Sequence, residues 1–229
     1  MESENSSPLG PLKRAVVRLL GRDTANRLSA PYHDWRARRR TGRRLQELPA
    51  KDLCVNIGCG SRYLPGWVNL DAARGDHIDI VWDLRRGMPF PGESCSAIFG
   101  EHVIEHIPKA DAERLLRECY RVLQPGGVIR LSTPDAGKFL RAYVNDREFL
   151  ADPRFAEAAE TSMDRVNMMM REYGQHLWVY DIELISLILQ RAGFSSVLEQ
   201  NFGSSTHPQM LGIDLAERAF ESLYVEAIK

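Results

Sequence analysis

From Leu53 onward, short apolar, β-rich runs at Leu53–Ile57, Trp67–Leu70, Ile78–Trp82, Ala97–Phe99 and Val128–Ser132 are separated by turns and helical patterns. Strands that alternate with helices predict a parallel sheet, because each return to the same sheet edge needs a crossover. The clearest helical period runs from about Ala110 to Leu123. There Ala112, Leu115, Leu116, Cys119, Val122 and Leu123 make one apolar stripe before Pro125-Gly126-Gly127 stops it. Residues 136–180 carry helical patches rich in Ala, Arg and Met without a strand candidate, which predicts a helical insertion over the sheet. Asp181 then caps a helix with Leu184, Leu187, Ile188 and Arg191 on one side, closed by Gly193. Two last strands follow at about Val197–Gln200 and Leu223–Ile228.

Residues 1–50 have another texture. Leu12, Val16, Leu19 and Leu20 fall on one helical face between Pro11 and Gly21, and Arg36, Arg38, Arg39, Arg40, Arg43 and Arg44 form a basic run. This stretch holds eleven Lys/Arg against five Asp/Glu, the rest nineteen against twenty-six, so the net charge of −1 conceals a basic head on an acidic body. We read residues 1–50 as a basic helical extension and 51–229 as one domain. The basic run reads as a solvated helix face, with peripheral contact to an anionic membrane as the alternative. An acidic body has no general attraction for a polyanion, which argues against a nucleic-acid partner.

At 229 residues, 44% hydrophobic and 27% charged, the chain suits one ordinary globular core. Cys54, Cys59, Cys95 and Cys119 show no CxxC spacing and read as reduced core thiols. The opening MESENSSPLG lacks a basic stretch followed by an apolar one, and no apolar run nears the ~20 residues that span a bilayer. A cytoplasmic location is expected.

Candidate chemistry starts at Asn56-Ile57-Gly58-Cys59-Gly60-Ser61-Arg62, where a strand runs into two glycines that let backbone approach a ligand closely. Asp71 ends the next strand, where a carboxylate can accept two hydrogen bonds from a ribose diol. A dinucleotide fits poorly: the third glycine of GxGxxG falls at Tyr63, and nine residues between Ile57 and Trp67 leave little room for a crossover helix. A pyrophosphate needs that helix N-terminus, and a phosphate-free cofactor such as S-adenosylmethionine does not.

Glu101 and His102 follow the fourth strand, where open α/β sheets bind ligands. His102, Glu105 and His106 would share one side of a helical turn and permit metal ligation, yet a hard cation prefers more carboxylate oxygens, and no metal is expected there. Tyr173, Gln175, His176, Trp178 and Tyr180, preceded by Met163, Met168, Met169 and Met170, can shape an acceptor pocket or pack a lid.

The chain resembles the class I S-adenosylmethionine-dependent methyltransferases, among them predicted methyltransferases often linked to glycan or secondary-metabolite pathways. The resemblance spans about residues 53–228 and rests on NIGCGSRYLPGWVNLD (56–71), WDLRRGMPFP (82–91), EHVIEHI (101–107), VLQPGGVIRLSTPD (122–135), YDIELISLILQRAGF (180–194) and ESLYVEA (221–227). It implies a doubly wound α/β sheet of seven strands, mostly parallel, with the last strand antiparallel. Gly58 and Gly60 would then face the methionine part of the cofactor, Asp71 the ribose and Asp83 the adenine amino group, with Asn56, Cys59, Leu84, Glu101 and His102 completing the expected cofactor contacts. Asn56 stands where the family usually carries an acidic residue, Arg62 where it carries a third glycine, and Ser96 where an aspartate is common.

The expected activity is transfer of a methyl group from S-adenosylmethionine to a small-molecule or glycan acceptor, at a hydroxyl, by in-line displacement. His176 or His102 would serve as general base. The alternative is a non-catalytic accessory protein that binds S-adenosylmethionine or S-adenosylhomocysteine.

Overall fold

The apolar runs become neighbouring strands in a computed structural model, which describes residues 39–155 and 159–229. The chain divides into two units, 1–46 and 47–229. The described part of the first unit, residues 39–46, is helical, in a helix α1 whose last residue is 47. The amphipathic stretch at residues 12–20, and Arg36 and Arg38 of the basic run, lie outside the described residues.

The second unit is built on one sheet of β1 (Leu53–Ile57), β2 (Val68–Asp71), β3 (Ile80–Val81), β4 (Cys95–Glu101), β5 (Leu123–Pro134), β6 (Ser196–Gln200) and β7 (Ser222–Ile228). Their order is β3-β2-β1-β4-β5-β7-β6. β1 to β5 pair in parallel, and β7 lies antiparallel between β5 and β6. This is the expected doubly wound sheet with its last strand reversed. Val55, Ile57, Ala97, Ile98 and Phe99 are all buried, as befits central parallel strands covered on both faces. Part of that cover is irregular chain: Met210 and Ile213, with Leu64 and Trp67, pack on Ala97, Phe99 and Val128.

Helix α2 (Lys109–Val122) buries Ala112, Leu115, Leu116, Cys119 and Val122, the stripe read from the sequence. It ends at Val122, ahead of the Pro-Gly-Gly turn, because Leu123 already has extended backbone and opens β5. No helix joins β1 to β2; two tight turns, Arg62 N–H to Cys59 O at 2.7 Å and Trp67 N–H to Leu64 O at 3.2 Å, fill that short connection.

Residues 136–180 hold α3 (Ala136–Asn145), α4 (Arg147–Leu150) and α5 (Ser162–Arg171). They form a small core of their own, with Phe139, Ala142, Leu150, Val166 and Met169 at its centre and Phe149 and Phe155 packed against it. Thr161 and Asp164 close a capping box on α5, satisfying two of its free backbone N–H groups.

Asp181 caps α6 (Ile182–Ala192), accepting the N–H of Leu184 at 2.9 Å, and Gly193 ends it at φ 114°. The expected apolar face needs correction. α6 buries Ile185, Ile188, Leu189 and Ala192, and Leu187 is exposed. Glu183, Ser186 and Gln190 mark the polar side, and Leu187 and Arg191 lie beside them, so the expected face was set too close to that side; the buried face packs toward α2, and Tyr120 of α2 meets Phe194 edge to face. All four cysteines are free; Cys59, Cys95 and Cys119 are buried, whereas Cys54 is half-buried.

Candidate active site

Parallel strands end together, so the residues that follow β1, β2, β3, β4 and β5 converge at one edge of the sheet. Gly58 leaves β1 at φ 58°, and a Cβ there would stand 2.5 Å from the Val103 side chain. Glycine is therefore required twice over, by conformation and by space. Beyond it, the Gly60 N–H donates to Asp71 Oδ2 at 2.8 Å, and the Gly60 carbonyl lies 2.7 Å from His77 Nε2.

Two buried asparagines hold this loop. Asn56 Nδ2 donates to the Arg62 carbonyl and to Asn69 Oδ1, both at 3.0 Å. Asn69 in turn binds the backbone of Leu64 and Trp67 and the carboxylate of Asp79. Sequence reasoning missed Asn69; its signal was a polar side chain in the middle of an otherwise apolar strand. Arg62 pairs with Glu101 across the sheet edge and lies over the Phe99 ring. The other Glu101 oxygen accepts the N–H of Leu215 at 2.9 Å.

Three cavities with shared walls occupy this edge. One of about 360 Å³ is lined by Gly58, Asp71, Ala72, Trp82, Asp83, Leu84, Val103, His106 and Leu177. A second of about 200 Å³ is lined by Asn56, Gly58, Cys59, Gly60, Arg62, Glu101 and Arg218. The third, of about 500 Å³, lies under the helical insertion and is lined by Phe139, Arg154, Phe155, Arg165, Met168, Met169, Glu172, Tyr173, His176, Arg218 and Phe220. His102 lines all three. All the cofactor positions expected from the sequence thus border the first two cavities, and His176 borders the third.

Each of these groups already has local work. Both Asp83 oxygens receive Arg85, which is the main reason the carboxyl sits below its usual range, and Asp83 also caps a short 3-10 turn at Leu84–Arg86. Burial, reinforced by the Asp71 charge, pushes the Cys59 thiol up to about 12.

His102 has left-handed backbone, φ 52°, a costly conformation of the kind found where a side chain must be aimed. Its Nε2 is 2.7 Å from Ser222 Oγ, and its Nδ1 is 3.4 Å from Glu105 Oε1. Burial first, then the charge of Arg218, pulls His102 down to about 3, so the ring is neutral. Glu105 is fully buried and pushed up to about 8 by that burial; its Oε2 accepts the Thr133 hydroxyl at 3.2 Å.

The expected grouping of His102, Glu105 and His106 on one helical side does not form as such. Only Ile104–His106 make a 3-10 turn, and the left-handed step at His102 sends that ring toward β7. His106 instead meets His176, ring centroids 5.0 Å apart. Of the aromatic-polar cluster, Tyr173 and His176 reach the large cavity, whereas Trp178 is exposed over Lys109 and Tyr180 is buried in the core. Among the methionines, Met168 and Met169 line that cavity and Met163 is exposed. Among the described residues no helix is long and apolar enough to cross a membrane.

Known proteins bear on this arrangement. A family model described as a methyltransferase domain matches residues 31–200. A relative from Mycolicibacterium smegmatis, described as a probable S-adenosylmethionine-dependent methyltransferase, is 40% identical over 63 residues, covering 28% of this chain and 24% of that protein. Its match thus spans about a quarter of that relative's length. Among solved structures, an S-adenosylmethionine-dependent methyltransferase from Archaeoglobus fulgidus overlays with TM-score 0.48 at 14% identity, covering 96% of this chain and 100% of that one. Another from Mesorhizobium loti overlays with TM-score 0.46 at 16% identity, covering 82% and 96%. With the family model matching most of its length, the chain belongs to the methyltransferase-domain family, on the class I S-adenosylmethionine-dependent methyltransferase fold.

Proposed function

We propose that this protein transfers a methyl group from S-adenosylmethionine to a hydroxyl of a small-molecule or glycan acceptor. The observation that carries this reading is the position of His102, which lines the two cofactor-side cavities and the large third cavity at once. Adenosine fits the cavity bordered by Asp71 and Asp83, the amino-acid part of the cofactor fits that of Gly58 and Gly60, and the acceptor enters under the insertion. The third cavity combines Phe139, Phe155 and Phe220 with Arg154, Arg165, Glu217 and Glu221, which supports a polar acceptor with a ring face and several hydroxyls.

Transfer from a sulfonium is an in-line displacement: the acceptor oxygen forms a bond to the methyl carbon as the carbon–sulfur bond breaks, and the acceptor proton leaves. Most acceleration comes from alignment in a dry site, which needs no covalent enzyme intermediate. His102, a weak base while buried, would have to turn Nε2 from Ser222 Oγ, 2.7 Å away, to take the proton. His176 Nε2 would first have to leave Glu172, 3.0 Å away.

The test is turnover against a panel of hydroxylated acceptors, read as S-adenosylhomocysteine released. His102→Ala should lower turnover by about 10²–10⁴-fold while leaving cofactor affinity within a few-fold, and His176→Ala should act more weakly. Unchanged turnover in both variants would remove the general base. Tight cofactor binding without product from any acceptor would favour the accessory-protein reading.

A further inference from the structure

Two histidines from separate elements turn the same nitrogen toward one point. His106 Nδ1 lies 3.2 Å from the Gln175 carbonyl, and His176 Nδ1 lies against the Met169 carbonyl. A carbonyl only accepts, so in each ring Nδ1 is the donor, and in the neutral ring Nε2 keeps a lone pair. Both Nε2 atoms face Glu172 Oε2, at 3.8 Å from His106 and 3.0 Å from His176. With both rings neutral, three acceptors converge there without a donor between them.

Glu105 makes the second, independent observation. One of its carboxylate oxygens joins the ligand atoms of His106 and His176 in a group lying within 4.8 Å of one another. The side chain is 1% exposed, and its Oε1 has no hydrogen-bond partner, standing only 3.4 Å from His102 Nδ1. A histidine pair kept for packing would explain the ring contact. It would not explain a buried carboxylate that brings one oxygen beside two histidine nitrogens while its Oε1 lacks a hydrogen-bond partner, since a buried oxygen is costly to leave so.

We propose that Glu105, His106, Glu172 and His176 bind one divalent first-row transition metal ion, of the Mn²⁺, Fe²⁺ or Zn²⁺ class. Two imidazoles and two carboxylates suit that class, whereas Mg²⁺ prefers an all-oxygen shell. Backbone carbonyls hold both Nδ1–H groups, the arrangement that fixes tautomer and ring direction in histidine ligands. His106 lines a cofactor-side cavity while Glu172 and His176 line the acceptor cavity, so the ion lies on the wall between them. There it can hold and polarise an acceptor oxygen beside His102. Metal binding stands or falls separately from the reaction proposed above.

The test uses the full chain without a polyhistidine tag, stripped with a chelator and titrated with Co²⁺ and Mn²⁺ by calorimetry, with Co²⁺ absorption as a second readout. One equivalent of Co²⁺ with visible ligand-field bands is expected, weakened at least tenfold in His106→Gln and in Glu172→Gln, and Mg²⁺ should not displace it. Glu172 is partly exposed, so Glu172→Gln keeps the test decisive if His106→Gln misfolds. The absence of stoichiometric Co²⁺ and Mn²⁺ binding by the folded stripped chain, or binding indifferent to Glu172→Gln, would overturn the proposal.

Discussion

Asp71 reaches back from the end of β2 to the loop after β1, its Oδ2 accepting the Gly60 N–H at 2.8 Å, while its Oδ1 accepts the Ala73 N–H at 2.7 Å. One carboxylate thereby fixes both lips of the cavity proposed for the cofactor and retains lone pairs that a ribose diol would use. Asp71→Ala should weaken S-adenosylmethionine and S-adenosylhomocysteine alike. Losing hydrogen bonds to a charged group costs about 1.5–3 kcal/mol, or roughly 10- to 150-fold in Kd by calorimetry. Asp71→Asn, which keeps the shape, should lose less. An unchanged Kd for Asp71→Ala would reduce the residue to a loop brace.

Gly58→Ala tests the close approach at the start of that loop. The variant would carry a left-handed alanine and a Cβ 2.5 Å from Val103. The conformation alone costs about 1–2 kcal/mol. The clash adds to it, so Gly58→Ala should lose stability in urea unfolding and Val103→Ala should restore only the steric part. Full restoration by Val103→Ala would show that the left-handed backbone carries no cost here.

The fold was legible in the sequence because its strands are short apolar runs bounded by turns, and because α2 buries every position of its stripe, from Ala112 to Val122. α6 was legible as a helix but its face was misassigned: Glu183, Ser186 and Gln190 mark the polar side, yet the run of Leu and Ile around Leu187 drew the apolar stripe too close to it. The residues expected at the cofactor could be grouped from the sequence because they sit at strand ends, where local sequence fixes position, and they do line two neighbouring cavities. The His106–Glu172–His176 cluster could not. It depends on how the turn after α5 comes back to the 3-10 turn that follows β4, a contact with no period in the sequence. The left-handed step at His102 likewise leaves no pattern that distinguishes it from a helical turn.

Arg130 on β5 is fully buried and sits opposite Glu226 in the β5–β7 register. Its guanidinium donates to Asp214, to Glu226 at 2.7 Å and to the carbonyls of Ser204 and Asn201. Arg130→Met would strand two buried carboxylates and should cost about 3–5 kcal/mol in chemical denaturation. Replacing Asp214 and Glu226 by Leu and Met in the same chain should recover much of that loss, because the charges would leave together. A loss in the triple variant as large as in Arg130→Met would assign the stability to the backbone bonds instead.

Cys59 stands between Gly58 and Gly60, in the loop proposed to hold the cofactor. Burial is the larger cause of its rise to about 12, and the Asp71 charge is the next. At pH 8 the folded chain should therefore hold roughly a thousandfold less thiolate at this position than an ordinary cysteine with a pKa near 8.5. Alkylation by iodoacetamide, followed site by site with mass spectrometry, should be slower at Cys59 by two orders of magnitude or more in buffer than in urea. Asp71→Ala removes only the smaller cause, so it should quicken the reaction modestly. A large acceleration in that variant would mean that the neighbouring charge, and not burial, protects the thiol.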